Sequence, residues 1–99
     1  MQDQLERLAA LGIQRVEALE MAHFVVVSRD RFAALLEHRN GRIVRIGTAG
    51  IVTEQGLGML LWRGEEARVV GKGMDRVASR EEVESLRRFS SDIQTVFQV

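Results

Sequence analysis

The sequence has no cysteine, no proline and no tyrosine, one tryptophan and one lysine, and its charges cancel, with fourteen basic against fourteen acidic residues. Without cysteine there is no disulfide, no thiolate metal ligand and no cysteine nucleophile. A small secreted domain usually needs such staples, so the expected setting is intracellular and cytoplasmic. Apolar runs such as Phe24–Val27 and Met59–Trp62 fall far short of the ~18 residues of a membrane-spanning helix. The charged N-terminal stretch "MQDQLERLAALGIQRVEALE" has no signal-peptide core, so no membrane partner is expected. A dedicated nucleic-acid binder carries a basic excess, and the charge balance counts against that class while leaving room for a local patch. The arginine bias, thirteen against one lysine, fits a GC-rich genome as well as any need for planar guanidinium contacts.

What is present is a 99-residue chain with 45% apolar and 28% charged residues, one ordinary globular domain over residues 1–99. Leu5, Leu8 and Leu11 make a helical stripe with Asp3 as N-cap. Gly12 ends it as a left-handed C-cap, and Ile13 folds back onto Leu8. The spacing of Ile13, Val16 and Leu19 predicts a second short helix to about Met21. "HFVVVS" predicts a strand buried on both faces. Ser28 then reads as the N-cap of a third helix, with Phe32, Leu35 and Leu36 inward and Asn40-Gly41 ending it.

From Arg42 the period changes. "RIVRIG", "GIVTEQ", "LGMLLWR" and "EARVVGK" are four β-prone runs with glycines between them, which predicts a four-stranded antiparallel meander whose glycines serve the turns. Ser79 and Glu82 form a capping box ahead of the stripe Val83, Leu86, Phe89, Ile93, Val96 and Phe97, which predicts an amphipathic C-terminal helix. The expected class is α+β: a helical N-terminal segment, an antiparallel sheet of four or five strands, and this last helix. Gly41, Val44, Arg45, Ile46, Gly50, Val52, Trp62, Gly64 and Val70 give the meander a pattern similar to small SH3-like barrels. That resemblance implies a closed barrel that binds peptides, RNA or partner subunits.

Chemistry is sparse. The glycines match neither a dinucleotide fingerprint nor a phosphate loop, and no cofactor is expected. His23 and His38 are too few for a metal site and share no ligand spacing. Ser28, Asp30 and His38 stand too far apart for a triad, and no catalytic residue is assigned. Glu65-Glu66 and Glu81-Glu82 are paired carboxylates in a turn and in a helix's first turn.

The function expected is therefore a non-enzymatic interaction or accessory module that acts as a homodimer or on an unidentified protein partner. The apolar two-sided strand and the C-terminal stripe name Met59, Leu61, Trp62, Phe89, Ile93 and Phe97 as candidate interface residues. One alternative is a pocket for an anionic small molecule between sheet and helices, contacted by Arg45, Arg68 and Lys72. The other is nucleic-acid binding through Arg39, Arg42 and Arg45.

Overall fold

The computed structural model describes residues 2–17, 22–54 and 56–97. Its class is α+β: two terminal helices and one antiparallel sheet of eight short strands, more than the four or five expected. Helix α1 (Gln2–Ala10) ends as its sequence predicts. Gly12 adopts φ 78°, the N–H of Ile13 donates to the Leu8 carbonyl at 2.9 Å and that of Gly12 to Ala9 at 3.0 Å. This is a Schellman ending, which satisfies orphan carbonyls and turns the chain back.

The reversal replaces the start of the second predicted helix with extended chain. Gln14 and Arg15 form a short strand, β1, against Val27 and Ser28, and the Val16 N–H donates to Val26. Residues 18–21, where that helix was to finish, lie outside the described residues. Strand β2 (Phe24–Arg29) follows, with Val25, Val26 and Val27 all buried, matching a strand buried on both sides.

The third predicted helix is a strand, β3 (Phe32–Arg39). "FAALLEHR" is rich in helix formers and has helical apolar spacing, but tertiary pairing outweighs those few tenths of a kcal/mol per residue. β3 pairs with β2 on one side and with β4 (Arg42–Ile46) and β5 (Gly50–Thr53) on the other. Asn40 and Gly41, at φ 53° and 76°, are both left-handed, as a tight two-residue hairpin requires. They reverse the chain between two strands and do not cap a helix.

Strands β4 and β5 run along the same neighbour in the same direction, so residues 47–49 are a kink in one long bent strand. The Gly47 N–H still donates to the Leu35 carbonyl at 2.7 Å. Here the glycines do not serve a turn. The sheet continues as a meander through β6 (Gly56–Arg63), β7 (Glu66–Gly71) and β8 (Met74–Val77), in the order β1-β2-β3-β5-β6-β7-β8 with β4 beside β3. Its end strands β1 and β8 do not pair with each other, so among the described residues the sheet does not close as the SH3-like resemblance implied.

Helix α2 (Arg80–Phe97) lies on one face of this sheet. Its Val83, Leu86, Phe89, Ile93, Val96 and Phe97 meet the inward side chains of β2, β3, β5 and β7, with Leu8 and Ile13 closing the same core. The Phe32 and Phe89 rings lie 6.2 Å apart at 34°. Each such side chain adds roughly 1.5–3 kcal/mol of transfer free energy on burial. No helix among the described residues is long and apolar enough to cross a membrane.

Candidate functional site

Side chains of directly opposed strand residues share a face, and successive residues alternate. Register therefore sorts the sheet into an inner face, under the helices, and an outer one. Ile51, Gly58, Leu60, Trp62, Ala67 and Val69 fall on the inner face; Val52, Leu57, Met59, Leu61, Val70 and Val77 fall on the outer. Both helices contribute to the one core on the inner side, so no described helix covers the outer apolar row. On that row Val52, Leu57, Leu61 and Val77 are 47, 44, 49 and 55% exposed, and Met59 and Val70 are half-buried between them. Charged side chains interrupt this row: Arg68 lies between Leu61 and Val77, and Asp75 lies opposite Val70. Arg68 donates to Asp75 at 2.7 Å and is paired with Glu66, and Arg63 reaches Asp75 at 3.4 Å. The Arg68 hydrogen bond holds the Asp75 carboxyl below its ordinary range.

The predicted interface residues divide across this geometry. Met59 and Leu61 belong to the outer row. Phe89, Ile93 and Phe97 are buried in the chain's own core; the C-terminal stripe is apolar because it docks on the sheet. Trp62 lies on the inner side at the margin of α2, 51% exposed, with the Arg87 guanidinium 5.8 Å from its ring centroid. Shallow depressions flank it on both sides, one lined by Leu60, Ser90 and Gln94, the other by Val77, Arg80 and Val83.

The predicted anion contacts do not assemble. Arg45 is on β4, Arg68 is engaged by two carboxylates on β7 and β8, and Lys72 sits in the turn between β7 and β8. The space between sheet and helices, where their pocket was placed, is filled by the apolar core. Arg39, Arg42 and Arg45 do assemble. Arg39 is opposite Arg42 and Arg45 is opposite Glu37 on the β3–β4 hairpin, with Glu37 3.4 Å from Arg45 and 3.7 Å from Arg39.

The two histidines also meet, which their sequence positions do not suggest. The His38 N–H donates to the His23 carbonyl at 2.9 Å across β2 and β3, and both line a depression with Glu37 and Arg39. Among the described residues, no group of three or more His, Asp or Glu is placed to hold a metal ion. Ser28 faces Ala33, five residues from His38 along an extended strand, about 16 Å and far beyond proton-transfer reach.

Two polar ties escaped sequence reasoning because their partners are distant in the chain. Glu82 does complete the capping box: its N–H donates to Ser79 Oγ at 3.1 Å, and its carboxylate accepts from the Ser79 N–H at 2.9 Å. The same buried carboxylate accepts from Arg76 at 2.8 and 2.7 Å and from Arg31 at 3.2 Å. The Arg76 hydrogen bonds, reinforced by Ser79 and opposed by burial, lower its pKa to about 2. Arg29 forms the other tie. It donates to Asp92 at 2.7 Å and to the Leu11 carbonyl at 3.1 Å, with its guanidinium 5.7 Å from the Phe89 ring centroid. Both ties anchor α2 to the sheet and need no ligand. No protein family, curated protein or solved structure matches this chain.

Proposed function

We propose that the chain is a non-enzymatic interaction module that acts as a homodimer through the outer face of its sheet. The observation that carries the reading is the row of Val52, Leu57, Leu61 and Val77, each about half exposed, on a face that no described helix covers. Exposed apolar side chains gathered on one face commonly mark an interaction site. A second copy suits this patch on charge. Among its apolar side chains stand Arg68 and Asp75, and at its end Arg63 and Glu66, so a two-fold operation can bring opposite charges together. The chain has no net charge and two copies do not repel at long range. A stable interface buries about 800 Å² per partner, so contact takes in these charged side chains together with the apolar ones. A cytoplasmic setting belongs to this proposal, and the cysteine-free composition supports it.

Light scattering across a tenfold dilution tests the reading. A mass of twice 11.2 kDa at the upper concentrations, falling on dilution, supports it. A mass of 11.2 kDa throughout removes it.

A further inference from the structure

The β3–β4 hairpin carries an irregularity that gathers charge. His38 pairs with Ile43 and Glu37 pairs with Arg45, leaving Val44 as an extra residue. In a regular strand Arg42 and Arg45, three apart, would point to opposite faces. The bulge returns them to one face, which they share with Arg39 and Glu37, opposite partners in the same ladder. Bulges commonly re-aim a side chain in this way. The result is three guanidiniums against one carboxylate, with Arg39 directly across from Arg42. Like charges directly opposed are unfavourable in a sheet. Arg42 has no ion-pair partner among the described residues, and Glu37 is shared at 3.4 and 3.7 Å by two exposed arginines.

We infer that this face of the hairpin contacts the phosphate backbone of nucleic acid, independently of base sequence. Arg42 and Arg45 stand opposite Arg39 and Glu37, two residues apart on β3, so they are separated by about 7 Å along the hairpin, the axial rise of about two phosphates on one DNA strand. The three side chains are exposed and enclose no desolvated cavity, so a single phosphate ion gains little, whereas a polyanion gains counterion release at each contact. A membrane surface is the poorer fit. Lipid-binding basic clusters number about four to eight residues and need a second, apolar anchor, and the tip here is Asn40-Gly41.

The test is fluorescence anisotropy with a labelled duplex oligonucleotide of mixed sequence and the intact protein. Non-specific affinities lie at roughly 10⁻⁴–10⁻⁶ M, and three phosphate contacts give a log–log salt slope of about −2.7. Affinity then falls about forty-fold between about 50 and about 200 mM salt. Arg39→Ala/Arg42→Ala/Arg45→Ala is expected to abolish binding, while Arg80→Ala/Arg87→Ala/Arg88→Ala on α2 retains it. If the alanine triple variant does not fold, the triple lysine variant, which keeps the charge, is expected to retain the slope, and Arg42→Ala alone to lower it by about one. Absence of binding at the lower salt overturns the inference. So does equal loss in both alanine triple variants, or a preference for anionic phospholipid vesicles over the oligonucleotide. Because a monomeric wild-type protein can still show the salt slope, failure here and failure of the dimer are separate outcomes.

Discussion

The carboxylate of Glu82 accepts hydrogen bonds from Arg76, Arg31 and the backbone of Ser79 at once. Its folded pKa of about 2 lies below the ordinary 4.5. A depressed acid contributes stability that is complete above its unfolded pKa and is lost as pH falls through the folded one. The window is therefore pH 4.5 down to about 2, and the contribution at neutral pH is about 3 kcal/mol. Glu82→Gln keeps an acceptor for the Ser79 N–H but removes the charge that both arginines face. At pH 7 it is expected to lower the urea midpoint by the equivalent of about 2–3 kcal/mol, with the gap to wild type closing near pH 2. A gap that stays constant with pH would assign Glu82 a purely steric role. At the neighbouring scale of a single methyl group, Gly58 sits where an added Cβ would lie 2.6 Å from Val69 Cγ1 and 2.7 Å from Met74 Cε. Gly58→Ala is expected to cost about 1–3 kcal/mol through overpacking. Gly58→Ala/Val69→Ala should cost less than the sum of its single changes, because one clash is shared.

At the scale of elements, the hairpin at Asn40-Gly41 isolates backbone strain from packing. Gly41 has φ 76° and nothing within 4 Å of an added Cβ. Gly41→Ala is therefore expected to cost about 1 kcal/mol from the left-handed backbone alone. That lowers Tm by about 4–8 °C in a domain of this size, while Gly41→Asn, better suited to that region, costs less. Equal losses would show that the turn tolerates another geometry.

The same hairpin explains what was legible. α1, its Gly12 ending, α2 with its capping box, and the strands of β2, β6 and β7 follow from local signals, since caps and periodicity lie within a few residues. β3 was illegible because Phe32, Leu35 and Leu36 satisfy a helical period, and only pairing on both sides makes the strand. The Asn-Gly pair was the local cue for a hairpin. Arg39, Arg42 and Arg45 were legible as a cluster by proximity; the bulge that puts them on one face was not. His23 with His38, and Glu82 with Arg31, meet only through the fold.

At the scale of the whole molecule, stability and assembly separate. A charge at Phe97 sits in the chain's own core, where the side chain is 7% exposed. Phe97→Glu is expected to destabilise by upwards of about 3 kcal/mol whatever the oligomeric state, so it reports on folding alone. Leu61 lies in the uncovered outer row at 49% exposure, and a charge there leaves the monomer's stability within about 0.5 kcal/mol. In a dimer built on that row the same charge is brought against its own copy and against buried apolar surface, which opposes association. Leu61→Glu should therefore run as a monomer with native circular dichroism, and its melting temperature should not depend on concentration. Wild type, stabilised by mass action, should melt higher as concentration rises. If Leu61→Glu keeps the wild-type mass and the same concentration dependence, the outer row is not where two copies meet. The exposed margin of α2 around Trp62 and Arg87 would then be the next surface to charge.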